Sequence, residues 1–206
     1  MSNEPVEHYF SAAPAGAFTP REIRVDLAGR GLTLQTAGGV FSPEHVDAGT
    51  QALLRIVPAL PDEPGNVLDL GCGWGPIALT MALESPDATV WAVDVNERAL
   101  ELTRRNAERA GCGNIVTHTP SQVPEDVRFT TIWSNPPIRV GKAELHGMLQ
   151  TWIPRLIAGG AAYFVVAKHL GADSLVSWLA TTFAATHEVI KGDHYKGFRV
   201  IEVHAR

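Results

Sequence analysis

A mostly parallel, seven-stranded sheet with helices on both faces, an α/β fold, is what this 206-residue chain predicts, and three observations carry it. From Asn66 onward, short apolar runs alternate with segments of helical periodicity, and strand–helix alternation builds parallel sheets covered on both sides. The last two strand-like runs, 187–190 and 198–203, have no helix between them and carry Gly192 and Gly197 in their connection. They predict an antiparallel hairpin at one edge. Ahead of the sheet, 23–27 and 32–36 alternate apolar and polar residues around Gly29-Arg30-Gly31, the pattern of a small separate hairpin.

Each element follows from local signals. Pro5, Pro14, Gly16 and Pro20 make the first 20 residues irregular. Ser42-Pro43 offers an N-cap with proline in the first helical position, and Val46, Leu53, Leu54 and Val57 continue an apolar stripe until Pro58 and Pro61-Asp62-Glu63-Pro64-Gly65 close it. Strands are expected at 66–70, 88–93, 114–118, 129–134 and 160–167. Helices are expected at 76–84, 96–110, 143–157 and 172–185, with Pro154 kinking or shortening the third. The whole, 1–206, reads as one domain, with 1–41 an extension bearing the hairpin and 42–206 the core.

Bulk properties remove several function classes. At 45% hydrophobic the chain can bury a full core, and no apolar run reaches the length of a membrane span. The N-terminus lacks a signal peptide's charged start and apolar stretch, so a cytoplasmic protein is expected, with no membrane partner. Cys72 and Cys112 form no CxxC pair and the eight histidines form no HExxH, so no metal is expected. A net charge of −5 argues against nonspecific coating of nucleic acid. The charge is nonetheless uneven: residues 1–127 carry 8 Lys and Arg against 17 Asp and Glu, whereas residues 128–206 carry 9 against 5. A basic C-terminal half suits an anionic substrate, although ordinary solvated faces would give the same numbers.

The first chemical motif is Asp69-Leu70-Gly71-Cys72-Gly73-Trp74-Gly75. A buried-strand pattern, Val67-Leu68-Asp69-Leu70, runs into glycines at alternate positions, which tolerate positive φ and let a ligand approach the backbone. Pro76 starts a helix whose free N–H groups favour an anionic group nearby. A dinucleotide fingerprint would need glycine where Pro76 stands, and a phosphate-binding loop would need a following Gly-Lys-Ser/Thr; neither is present. Asp94 ends the next strand, 25 residues after Asp69, where a carboxylate can accept both hydroxyls of a ribose. Packing alone is the competing explanation of such a turn.

The second motif, Asn135-Pro136-Pro137-Ile138, follows the strand 129–134 and so falls at the sheet edge where open α/β sheets bind ligands. An exocyclic amine is a poor nucleophile because its lone pair is delocalised into the ring. If the Asn135 side-chain carbonyl and the Pro136 backbone carbonyl each accept one amine hydrogen, the nitrogen pyramidalises and its lone pair is freed. Two prolines hold those acceptors in place. Alone, Asn-Pro is a common turn starter. Arg139, Lys142 and His146 follow at once, with Lys142 and His146 on one helical face; all three are candidate contacts to substrate phosphates, with solvated surface charge an equal reading, and Lys168 at the end of the next strand is a weaker one. Lys196-Gly197-Phe198-Arg199 is another weaker candidate.

The glycine loop with a strand-end acid resembles the class I methyltransferases, a Rossmann-like fold that binds S-adenosylmethionine. The resemblance implies Asp69 and the loop residues Gly71, Cys72, Gly73 and Gly75 near the methionine part, and Asp94 with Val95 at the ribose. Such proteins often place an acid beside the adenine after the third strand. Here that stretch is His118-Thr119-Pro120-Ser121-Gln122, so Ser121 and Gln122 are the polar side chains available.

Taken together, His8-Tyr9-Phe10-Ser11, Gly39-Val40-Phe41-Ser42, the glycine loop through Ile77, Asp94-Val95-Asn96-Glu97-Arg98-Ala99 and Asn135-Pro136-Pro137-Ile138-Arg139-Val140-Gly141-Lys142 resemble, in order, the motifs of the ribosomal small-subunit RNA guanine-N2 methyltransferases. Longer members have two related halves, and this chain resembles the catalytic half, as in a short single-domain branch. The resemblance implies methyl transfer to the N2 amine of a guanine, with ribosomal RNA or the small ribosomal subunit as partner and Asn135, Pro136, Pro137 and Ile138 as the catalytic tetrapeptide. Many relatives carry an aromatic where Ile138 stands. Phe41 lines the cofactor pocket by the same resemblance, or serves as an apolar staple before a Ser42 cap. A protein glutamine amide or a DNA adenine also presents planar nitrogen, and a non-catalytic cofactor- or RNA-binding protein would keep the fold; these are the alternatives.

Overall fold

The computed structural model describes residues 17–206; the segment His8-Tyr9-Phe10-Ser11 lies outside them. Strands β1 (Arg21–Leu27) and β2 (Arg30–Thr36) form the expected antiparallel hairpin, a two-stranded sheet of its own. The seven-stranded sheet contains β3 (Asn66–Leu70), β4 (Thr89–Val93), β5 (Ile115–His118), β6 (Phe129–Ser134), β7 (Leu156–Ala167), β8 (His187–Tyr195) and β9 (Phe198–Ala205). Its order is β5-β4-β3-β6-β7-β9-β8, parallel from β5 through β7 and antiparallel where β9 pairs with β7 and β8. After β3 the chain winds to one side through β4 and β5, then returns to place β6 on the other. The carboxyl ends of β3 and β6 therefore flank the point where winding reverses, which is where such sheets hold ligands.

Alternation along each strand sends side chains to two layers. Val67, Val90, Tyr163 and Val165 face helices α1 (Ala48–Ile56), α2 (Pro76–Glu84) and α3 (Glu97–Ala110). Leu68, Leu70, Phe164 and Val166 face α4 (Lys142–Trp152) and α5 (Ala172–Thr182). Fully buried leucines such as Leu53, Leu68 and Leu79 each contribute roughly 1.5–3 kcal/mol by leaving water.

The hairpin is fastened to the first layer through α3. Asn106 donates its amide to the Gln35 carbonyl (2.8 Å) and to the Trp74 carbonyl (2.9 Å), while its Oδ1 accepts the Gln35 N–H (2.7 Å). Asn96, which caps α3, donates to the Gly39 carbonyl (2.8 Å). Segment 38–42 is thereby laid across the mouth of the glycine loop.

Five elements differ from expectation by three residues or more. Strand β8 runs to Tyr195, past the expected 190, so Gly192 lies within it, at an irregularity in its pairing with β9, and not in the connection. Helix α5 stops at Thr182, short of 185. Helix α1 begins at Ala48, not after Ser42: Ser42 has φ +45° and its hydroxyl donates to the His45 carbonyl, so it closes a turn. Asp47 is the cap instead, its carboxylate accepting the Gly49 N–H at 2.7 Å and the Thr50 N–H at 3.4 Å. The staple role for Phe41 before a Ser42 cap falls with that correction. At the other end of the chain, α4 stops at Trp152 and a single 3₁₀ turn, Ile153–Arg155, absorbs Pro154. Strand β7 then starts at Leu156, four residues before the expected 160, because a bulge opposite Phe129 and Thr131 lets the chain rejoin the sheet early. A Cβ at Gly160 would sit 2.9 Å from the Thr130 carbonyl, so the bulge closes only over glycine.

Candidate active site at the carboxyl edge of the sheet

Gly71, Gly73 and Gly75 all adopt positive φ, at +82°, +57° and +95°. Their surroundings differ. A Cβ on Gly75 would meet the Thr103 side chain at 3.0–3.1 Å, so this glycine serves the close approach of α2 and α3. Above Gly71 and Gly73 nothing lies within 4 Å, leaving open space over a backbone that a ligand can approach.

The two predicted acids bracket this loop. Asp69 is fully buried at the end of β3, and its Oδ2 accepts the Ala78 N–H at 2.9 Å. Its Oδ1 is buried with no partner among the described residues. Burial pushes the carboxyl up to about 8; the Ala78 N–H opposes this, and Asp94 adds to it. Asp94 uses both oxygens to brace the loop, accepting the Gly73 N–H and the Asn96 N–H, each at 2.9 Å. Burial raises its carboxyl as well. Each Asp94 oxygen retains acceptor capacity for a hydroxyl. Val95 is exposed beside it. Cys72 is buried, and burial holds its thiol well above the ordinary range, so it packs as a neutral side chain rather than a nucleophile.

The groove over the loop is lined by Phe41, Asp47, Thr50, Gly71, Gly73 and Asn135, among others. Phe41 reaches it because the Trp74 indole donates to the Ser42 carbonyl (3.1 Å) and pins segment 38–42 there. Asn135 leaves β6 directly opposite. Its amide nitrogen donates to Asp47 Oδ2 (2.9 Å) and Thr50 Oγ1 (3.1 Å). Pro137, at φ −74° and ψ 75°, sits in an inverse γ-turn that gives one lone pair of the Pro136 carbonyl to the Ile138 N–H at 2.8 Å. The second lone pair is uncommitted. Ile138 is half-buried against the layer containing Leu145 and Leu149.

Arg139, Lys142 and Lys168 are all exposed and all follow the carboxyl ends of β6 or β7, so the fold brings them to one edge of the sheet. Lys168 donates its N–H to the Gly197 carbonyl, which sets the β8–β9 turn with Lys196 on the same edge. His146 stacks on Trp178, ring centroids 3.6 Å apart, and is a packing residue of the α4–α5 contact. After β5, the Thr119 N–H is capped by Gln122 Oε1 at 2.9 Å, which turns that amide back onto its own backbone. Asp47 and Thr50 are site residues the motifs do not reveal. Their one sequence signal is helix capping, and Ser42-Pro43 carries the stronger version of it.

The donor set fits S-adenosylmethionine: an orphaned buried carboxylate oxygen at the base of the loop, open space over two glycines, and an acid at the next strand end. Among the described residues no helix is long and apolar enough to cross a membrane. No group of three or more His, Cys, Asp or Glu able to hold a metal is found among them.

Comparisons with known proteins give the family and the fold. The model of the methyltransferase small domain matches residues 31–201. The chain is 35% identical over 199 residues to the uncharacterized protein YbxB of Bacillus subtilis, covering 95% of this chain and 97% of that one. It is 30% identical to the ribosomal RNA small subunit methyltransferase C of Aeromonas hydrophila and 34% identical to the ribosomal RNA large subunit methyltransferase G of Pseudomonas putida. These matches cover 85% and 79% of this chain but 47% and 45% of those proteins, so the chain spans about half their length. The Thermus thermophilus 16S rRNA N2 G1207 methyltransferase, solved with AdoMet and guanosine, superposes with a TM-score of 0.72 at 23% identity, over 93% of this chain and 52% of that one. That likeness supports the class I methyltransferase fold. The family match over residues 31–201, with the glycine loop and Asn135 lining one groove within it, makes the chain a member of the methyltransferase small-domain family, an S-adenosylmethionine-dependent methyltransferase.

Proposed function

We propose that this enzyme methylates the N2 amine of a guanine in small-subunit ribosomal RNA. The observation that carries the reading is Asn135: its amide nitrogen is tied back to Asp47 and Thr50, and its oxygen takes no donor from the described residues while the side chain lines the groove beside Gly71 and Gly73. Such an acceptor suits an amine hydrogen. The relatives supply the substrate class: the Aeromonas protein is named for small-subunit ribosomal RNA, and the Thermus enzyme for the N2 position of a guanine in 16S rRNA.

In this reading Asp69, Gly71, Cys72, Gly73, Asp94, Val95 and Phe41 hold the cofactor, while Gly75, which the sequence also offered, packs α2 against Thr103 of α3 behind them. Asp69 Oδ1 and the helix α2 N-terminus serve its amino-acid end, and Asp94 serves its ribose. When bound, the cofactor supplies an electrophilic sulfonium methyl. Asn135 Oδ1 and the remaining lone pair of the Pro136 carbonyl accept the two amine hydrogens. Pro137 fixes the turn, and Ile138 anchors it in the core layer below. The amine is thereby held with its lone pair toward the loop, and proximity and preorganised acceptors perform the chemistry. Arg139, Lys142 and Lys168 receive substrate phosphates and fix orientation without reading sequence.

A large-subunit target is the second reading, because the Pseudomonas relative bears that name at 34% identity. The test incubates the protein and methyl-labelled S-adenosylmethionine with unmodified small subunits, large subunits, naked ribosomal RNA and total protein. Label recovered as N2-methylguanosine from small-subunit RNA is the expected result. Label confined to large-subunit RNA moves the assignment to the second reading, and label in protein alone rejects both. Asn135→Ala should reduce transfer by at least about 10²-fold, the scale of losing a transition-state acceptor, with cofactor affinity retained.

A further inference from the structure

Asp47, the cap of helix α1, lies 88 residues before Asn135 in sequence, yet the start of this helix holds the Asn135 amide. Asp47 Oδ2 and Thr50 Oγ1 accept the amide nitrogen at 2.9 and 3.1 Å, so both of its hydrogens are used. A carboxylate only accepts, so chemistry alone fixes which end of the amide faces Asp47. The contact is built tightly: a Cβ on Gly49 would lie 2.9 Å from Asp47 Oδ2 and 3.2 Å from either Asn135 amide atom. Thr50 is buried at 4% exposure, which removes water as a substitute partner.

We infer that Asp47 and Thr50 are positioning residues that lock the Asn135 amide with its oxygen toward the substrate, over a Gly49 that keeps the space free. The inference rests on the proposed role of Asn135 as acceptor. An unlocked amide rotates by half a turn at little cost and then offers N–H groups, which repel an amine and attract a carbonyl. Locking does two things at once. It removes the wrong rotamer, and it makes this position accept only a group that carries N–H. A guanine amino edge satisfies it; a keto edge does not. The same carboxylate oxygen caps α1, so forming the helix start and aiming the acceptor are one event.

The test must separate the lock from the cap. Asp47→Ser keeps an N-cap hydroxyl but is too short to reach Asn135. Asp47→Asn keeps both a cap and a carbonyl oxygen long enough to reach it. Thr50→Val preserves shape and removes the second acceptor. With RNA as substrate, Asp47→Ser and Thr50→Val should each lower kcat by roughly 10- to 100-fold, the scale of a charge-assisted or buried hydrogen bond. Asp47→Asn should recover most of that loss, and S-adenosylhomocysteine affinity should stay within about twofold of the parent in all three. A purely structural cap predicts equal behaviour for Asp47→Ser and Asp47→Asn, and that result overturns the inference, as does a parallel loss of cofactor binding. An independent readout is the Asn135 side-chain amide in ¹⁵N–¹H spectra, assigned by its absence in Asn135→Ser. Two inequivalent, exchange-protected protons are expected in the parent, and one should lose protection in Thr50→Val. Free-amide shifts in the parent would refute the lock. If the parent methylates no RNA, the guanine reading fails, and the amide spectrum still decides the lock.

Discussion

Replacing Asp69 by asparagine should make the cofactor-free protein more stable at mildly alkaline pH, against the intuition that a site acid is better left alone. Asp69 is fully buried, with one oxygen on the Ala78 N–H and the other unpartnered among the described residues, and burial raises its carboxyl from 3.8 to about 8. The folded protein therefore keeps this proton up to about pH 8, whereas the unfolded chain releases it above about pH 4. Between those limits unfolding releases a proton, so the stability that Asp69 contributes is full at low pH and is lost as pH rises. The slope approaches about 1.4 kcal/mol per pH unit, or roughly 3–4 kcal/mol between pH 5 and pH 8. The substituted asparagine does not titrate; its buried N–H₂ at the unpartnered position costs about 1–3 kcal/mol at every pH. Urea denaturation of both proteins across pH 5–8 isolates the difference, since the other titrating groups are common to both. The gap should move in favour of the variant by several kcal/mol as pH rises, or roughly 10 °C in Tm for a chain of this size. Parallel curves would refute the buried, proton-retaining Asp69.

Two further outcomes test other parts of the site. Gly75→Ala places a Cβ 3.0–3.1 Å from Thr103 at a φ of +95°, and should destabilise by about 2–4 kcal/mol from combined strain and overpacking, read as a lowered urea midpoint. Replacing Arg139, Lys142 and Lys168 together by alanine should weaken RNA binding and reduce the slope of log affinity against log salt by as much as about 2 for single-stranded RNA, with no change in S-adenosylhomocysteine affinity by calorimetry; an unchanged slope would remove these cations from the RNA face.

The sheet was legible because period-two runs, glycines and prolines carry local information. The strands β3 to β6, the closing β8–β9 pair and the N-terminal hairpin all follow from it. What the sequence hid depended on contacts between distant segments. Ser42-Pro43 has the right chemistry for a helix start, but the Trp74 indole claims the Ser42 carbonyl and holds the segment in a turn, so the start moves to Asp47. Early entry into β7 rests on Gly160 fitting beneath the Thr130 carbonyl, a contact no spacing rule registers. His146 shares a face with Lys142 as the helical spacing predicts, yet Trp178 from α5 captures its ring. In the site itself, glycine and proline motifs announced the loop and the turn. The partners that aim Asn135 were invisible, because an aspartate and a threonine on a helix have no signature beyond capping.

Asn106 has one more consequence, for how the protein behaves in a crowd. By giving a hydrogen to the Gln35 carbonyl and taking one from the Gln35 N–H, its side-chain amide imitates a peptide group of a neighbouring strand. An exposed strand edge is a template on which foreign chains can add. Here a single asparagine from a helix stands in as the missing strand at Gln35, so the outer edge of β2 offers other molecules no uninterrupted ladder to extend.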